Sequence, residues 1–122
     1  MATIRSFRDL VVWQEAISLA VDVYELTRRF PKEEMFGLTQ QIRRASVSVS
    51  SNIAEGWGRS NTGDYIRYLC IADGSLREVE SQSELSYRLG YLDQEQAARL
   101  QERIEGIGRM LHSLRQSLED HR

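Results

Sequence analysis

From residue 97 onward the chain places Ala97, Leu100, Ile104, Ile107, Leu111, Leu114 and Leu118 at alternating steps of three and four. That spacing puts one apolar side chain per turn on a single helix face. The same rhythm runs through Tyr65, Leu69, Ala72, Leu76, Val79 and Ser83, and earlier through Leu38, Ile42, Ala45, Val49 and Ile53. No segment sustains the two-residue alternation of a strand. Val47-Ser48-Val49-Ser50 comes nearest and is too short to outweigh its helical surroundings. The periodicity predicts an all-α chain.

Three breaks divide it. They are Phe30-Pro31-Lys32-Glu33-Glu34 followed by Phe36-Gly37, then Arg59-Ser60-Asn61-Thr62-Gly63, and finally Leu89-Gly90-Tyr91-Leu92-Asp93. Gly90 suits the left-handed position that closes a helix. Asp93 with Gln96 resembles a capping box opening the next helix, as does Asn61 or Thr62 before Asp64. The expected helices span about 8–30, 37–59, 62–89 and 93–120. Short connections force antiparallel neighbours, so the expectation is one domain, 1–122, built as an up-down-up-down four-helix bundle.

The first helix carries too much apolar surface for one core. Val12, Ala16, Leu19, Val23, Leu26 and Phe30 form one stripe, and Trp13, Ile17, Ala20 and Tyr24 form a second beside it. Together they cover roughly 180° of the helix, against a usual arc of about 100°. Broad apolar surface of this kind marks an interface. Self-association is therefore expected, with Val12, Leu19, Val23 and Leu26 as candidate interface residues; the alternative is that the extra stripe packs under the N-terminal segment Ile4–Phe7.

Composition bounds the chemistry. Sixteen basic against eighteen acidic residues give a net charge of −2, without the basic excess of a general nucleic-acid binder. A single cysteine, Cys70, permits no internal disulfide and fits a reducing compartment. The opening MATIRSFRDL lacks a signal peptide's apolar run and no stretch reaches transmembrane length. A cytoplasmic protein without a membrane partner is expected. A di-iron bundle needs Glu-x-x-His pairs, but His112 and His121 follow Arg109 and Leu118 at that spacing. Cys70 has no second thiol for zinc. Gly56-Trp57-Gly58-Arg59 lacks the spacing and the Lys-Ser/Thr of a P-loop. Glu33-Glu34 and Glu78 with Glu80 fit solvated or paired helix faces. No catalytic residue, metal, cofactor or small-molecule substrate is expected, and the chain reads as a non-enzyme.

The stretch Ser50-Ser51-Asn52-Ile53-Ala54-Glu55-Gly56-Trp57-Gly58-Arg59-Ser60 looks glycine-rich but keeps helical phase. Steps of 100° put Asn52 and Gly56 on the core side, with Glu55 on a flank. Pairing around a turn near Asn61 makes Glu55 level with Arg67 and Arg44 level with Glu78, two expected ion pairs. A turn near residue 34 makes Trp13 level with Gly56, whose missing side chain would admit the indole.

These residues carry a resemblance. Phe7-Arg8-Asp9-Leu10-Val11-Val12-Trp13-Gln14, Phe30-Pro31-Lys32-Glu33-Glu34, Phe36-Gly37-Leu38, Gln41-Ile42-Arg43-Arg44-Ala45, Asn52-Ile53-Ala54-Glu55-Gly56, Gly74-Ser75-Leu76 and Leu89-Gly90-Tyr91-Leu92 follow one another in order. Together they resemble the bacterial four-helix bundle family also called S23 ribosomal or 23S rRNA intervening-sequence proteins. The likeness covers residues 7 to 92, and the last helix matches in pattern only. It implies a four-helix protomer in a homopentameric ring, with Trp13, Asn52, Glu55, Gly56 and Gly74 as structural motif positions. The family name reflects genes found within rRNA intervening sequences. The accessory variability determinant of diversity-generating retroelements is similar in fold and binds nucleic acid through a strongly basic surface. This chain departs from it in being slightly acidic.

Two functions follow as expectations. In the first, the oligomer binds structured RNA or a nucleoprotein partner through a basic corner of Arg28, Arg29, Lys32, Arg43 and Arg44, with Arg88 near the same end. Trp57, Arg59, Arg67 and Tyr68 form a second candidate at the opposite end, mixing aromatic and basic residues as single-strand binders do. In the alternative, the oligomer is a scaffold or adaptor for protein partners with no nucleic acid involved.

Overall fold

The computed structural model describes residues 3–122. It holds four helices, α1 (Val11–Thr27), α2 (Leu38–Trp57), α3 (Thr62–Arg88) and α4 (Gln94–Asp120), and no strand among the described residues. None of the helices is long and apolar enough to cross a membrane.

The punctuation explains the boundaries. Asn61 accepts from the Asp64 amide and so opens α3. Asp93 and Gln96 form the reciprocal capping box that opens α4, satisfying amide donors that a helix start leaves free. Gly90 lies at φ +81, where a Cβ would be strained. Past it the Tyr91 amide reaches back to the Ser86 carbonyl at 2.9 Å, closing α3 in a Schellman turn.

α1 starts three residues later than the spacing suggests. Ser6 and Asp9 form a capping box on a short 3-10 turn, Phe7–Asp9, and Leu10 is extended. The first turn of the expected helix is thus a separate element, its Phe7 ring set edge-on to Trp13 at 5.0 Å. α2 has no side-chain cap of its own from Gly37. Glu34 supplies one: its Oε1 accepts the Leu38 amide at 3.2 Å while its Oε2 accepts the Tyr91 hydroxyl at 2.9 Å. Phe30 packs against the same Tyr91 ring at 5.2 Å. The α1–α2 connection and the α3–α4 turn are therefore fastened together.

All four helices contribute to one core, including Leu19, Val23, Ile42, Val49, Ile53, Leu69, Leu76, Val79, Ile104 and Leu111. This corrects the expected interface. Val12, Leu19 and Val23 are 5%, 0% and 1% exposed, because they are the stripe facing the protomer's own core. Leu26 is half-buried against the same cluster. The surplus apolar surface of α1 lies on its outer side, where Val21 and Tyr24 are 50% and 42% exposed.

Lateral contacts fix which levels meet. Thr27 meets Arg43, Ser48 meets Ser75 at 2.8 Å, Glu80 meets Gln101, and Arg103 meets Glu15 and Asp22. α2 and α3 pack most closely; α1 and α4 pack least closely.

Candidate nucleic-acid interface

The basic corner is built where α1 ends. Arg28 and Arg29 follow its last residue, Lys32 opens the 3-10 turn Lys32–Glu34, and Arg44 stands nearly two turns into α2. All four are exposed. Among the described residues none has a carboxylate within 4.0 Å. Uncompensated guanidinium and ammonium groups at one end of a molecule are free to meet phosphate.

Arg43 differs from its neighbours. Its Nε donates to the Thr27 hydroxyl at 2.8 Å, and its guanidinium lies 4.6 Å over the Tyr24 ring. Thr27 in turn donates to the Val23 carbonyl at 2.7 Å. Half-buried and held by Thr27 and Tyr24, Arg43 ties α2 to α1, which leaves Arg28, Arg29, Lys32 and Arg44 as the exposed cations of the expected corner. Arg88 is bonded to Glu84 at 2.8 Å, a carboxylate that also favours its charged form and raises its pKa.

The opposite end is compensated. Arg59 pairs with Glu55 at 2.6 Å and Arg67 lies 3.8 Å from Asp64. Both guanidinium groups stack on the Tyr68 ring, at 4.7 and 4.8 Å. Trp57 is half-buried. Arg59, Arg67 and Tyr68 are together as expected, but the charge of the two arginines is already met within the protomer.

Neither expected interhelical ion pair forms. Glu55 turns along its own helix to Arg59, Arg67 turns to Asp64, and Arg44 and Glu78 stay apart. Ser48 and Ser75 touch across the α2–α3 seam at 2.8 Å, while Glu55 and Arg67 take partners on their own helices. Asn52 is half-buried at the α2–α3 seam instead of fully in the core. Its amide donates to the Ser48 carbonyl and hydroxyl at 2.8 and 3.0 Å, so its polarity is satisfied by its own helix. Gly56 is tightly packed, with a different neighbour from the one expected. A Cβ there would lie 2.9 Å from Tyr68 Cβ and 3.1 Å from the Tyr65 ring, whereas Trp13 meets Phe7. Gly74 sits on the outer face of α3, where a Cβ would meet nothing within 4 Å.

Two perturbed hydroxyls accompany this frame. The hydrogen bond to Glu34 holds the Tyr91 pKa above the usual phenol value, helped by burial and by the Glu33 charge. Burial raises Tyr65. Among the described residues no group of three or more His, Cys, Asp or Glu side chains could hold a metal ion. The sequence reading missed a long groove between α1 and α4, past Gly106; an interior glycine in an otherwise regular helix was the available signal.

Residues 8–113 match the family model described as the 23S rRNA-intervening sequence protein. A protein of unknown function from the S23 ribosomal protein family of Bacteroides thetaiotaomicron VPI-5482 is similar in structure, with a TM-score of 0.79 and 28% sequence identity. The likeness covers 85% of this chain and 97% of that one. No curated protein matches.

Proposed function

The chain belongs to the 23S rRNA-intervening sequence protein family, and on that premise we propose a non-enzymatic oligomer that binds structured RNA or a nucleoprotein partner through its basic corner. The observation that carries this reading is the contrast between the two ends. Arg28, Arg29, Lys32 and Arg44 have no carboxylate within 4.0 Å among the described residues, while Arg59 and Arg67 have. Phosphate contacts supply most of the affinity of a nucleic-acid binder, so uncompensated cations matter more than the chain's total of −2.

The protomer is proposed to be an antiparallel up-down-up-down bundle. Contacts between Thr27 and Arg43, Ser48 and Ser75, and Glu80 and Gln101 support that direction. Self-association is proposed through the outer face of α1, where Ile17, Val21 and Tyr24 are exposed. A ring of five is the assembly that the family resemblance implies, and it would repeat the corner around one rim, adding avidity without new contacts.

The test is purification from the native host at low salt, with sequencing of bound nucleic acid and mass spectrometry of bound proteins. Recovery of a discrete RNA, lost on raising the salt, supports the reading. Recovery of a protein partner with no nucleic acid overturns it in favour of a scaffold.

A further inference from the structure

Phe36 is 84% exposed, more than any other large hydrophobic side chain among the described residues. Phe30 and Leu38, on either side of it in the chain, are buried, so the segment between them turns one aromatic ring outward. The exposure does not come from a loose loop. Successive turns hold the backbone: the Glu34 amide donates to the Pro31 carbonyl at 3.0 Å, Met35 to Lys32 at 3.1 Å, and Gly37 to Glu34 at 3.0 Å. Glu34 is itself held at both carboxylate oxygens, by the Leu38 amide and the Tyr91 hydroxyl. The ring thus stands on a fixed support, and among the described residues no other ring or guanidinium covers it. Tyr68, at the opposite end, already carries both Arg59 and Arg67.

The charges around the ring narrow what can cover it. Lys32 opens the turn that leads to Phe36, Arg28 and Arg29 end the helix before it, and Arg44 lies on the helix that starts two residues after it. Among the described residues none of these cations has a carboxylate within 4.0 Å. Glu33 is exposed on the same turn as Lys32, and its charge opposes a phosphate on that side. A ligand that meets both conditions carries its negative charge over the arginines and lays a flat, uncharged face on the ring. An unpaired nucleotide divides in this way, phosphate from base. A base pair inside a duplex does not, because stacked neighbours cover its faces. An anionic bilayer would spread charge over the whole end, Glu33 included, and would find there no amphipathic helix face to bury.

We infer that Phe36 is a stacking platform for an unpaired base of an RNA whose phosphates lie on Arg28, Arg29, Lys32 and Arg44. This rests on the RNA reading above and narrows its ligand to an RNA that offers a loop, bulge or free end at the corner. Recognition of RNA commonly takes this form, with unstacked bases splayed onto aromatic rings. Every base has a π face, so the platform selects unpaired over paired nucleotides without choosing a sequence. The two parts of the site do separable work. The cations supply the salt-dependent share of the affinity, and the ring, which releases no counterion, supplies the discrimination. A ring already fixed in the free protein loses little freedom on binding.

The test measures binding of wild type, Phe36→Ala, Phe36→Trp and Arg28→Glu/Arg29→Glu to a hairpin RNA with an adenosine loop and to the same stem as a blunt duplex, across a salt series. Helical content and assembly are followed in parallel. Wild type should prefer the hairpin. Phe36→Ala should lose about 5- to 100-fold on the hairpin, with its duplex affinity and the salt slope unchanged, and Phe36→Trp should keep the preference. The arginine variant should lose affinity for both RNAs together with part of the slope. Wild-type behaviour of Phe36→Ala beside a weakened arginine variant overturns the platform and leaves the corner reading in place. Equal losses of Phe36→Ala on hairpin and duplex overturn it too, since the ring would then act only by shaping the corner. Loss of assembly in Phe36→Ala would assign the ring to a contact between copies. Release of Phe36→Ala, but not wild type, from phosphatidylserine vesicles with hairpin binding intact would assign it to a membrane surface; either result contradicts the proposal. Wild type that binds neither RNA at low salt overturns the platform and the RNA reading together.

Discussion

Gly56 and Gly74 are both interior helix glycines, and the sequence alone assigns them the same role. Space separates them. At Gly56 the added Cβ meets Tyr68 Cβ at 2.9 Å and the Tyr65 carbonyl at 3.2 Å, atoms that cannot swing aside. Gly56→Ala is predicted to destabilise by about 1–3 kcal/mol in urea unfolding, overriding the helix propensity gained. Gly74→Ala meets nothing and is predicted to raise stability by up to about 1 kcal/mol. Equal effects at the two sites would refute the packing account. Periodicity grouped Val12, Leu19 and Val23 into one stripe, which the expectation gave to an interface and the structure gives to the core. It could not tell which apolar residues remain for a partner, because that depends on where neighbouring helices lie. Nor could it distinguish Arg43 from Arg44: adjacent positions point about 100° apart on a helix, and only one of those directions meets Thr27 and Tyr24.

Among the elements, the helix ends were the most legible part. Asp93 with Gln96, Asn61 with Asp64, and Gly90 act through local chemistry that a short window of sequence contains. Asp93→Ala is predicted to cost about 1 kcal/mol, read as a lowered urea midpoint. The clasp made by Glu34 was not legible, since Tyr91 lies 57 positions away. Its raised pKa has a consequence for alkaline stability. A phenol whose folded pKa exceeds its ordinary value of 10.0 binds its proton more tightly when folded. Its contribution is fully present below pH about 10 and is lost as pH rises through the folded value. Tyr65 shifts in the same direction, so Tyr91→Phe should flatten the fall in stability above pH about 10 without abolishing it. An unaltered slope would mean that the Tyr91–Glu34 bond does not persist in solution.

At the scale of the whole molecule, total charge and charge placement give different answers. The composition argues against nucleic acid, and at the Arg59–Arg67 end the internal pairs agree. The Arg28–Arg44 corner escapes that argument because its cations are not spent on the protomer's own carboxylates. Five-fold or other cyclic repetition would concentrate them on one rim. The most direct measurement is a salt titration of binding to the copurified RNA by wild type, Arg28→Glu/Arg29→Glu and Arg59→Glu/Arg67→Glu, with assembly followed in parallel. The first pair should lose most of the affinity, and any binding left should fall with salt by about two fewer released counterions, with the oligomer unchanged. The second pair should bind nearly as wild type. Equal losses in the two variants, or wild-type affinity that does not change with salt, would contradict recognition at the corner.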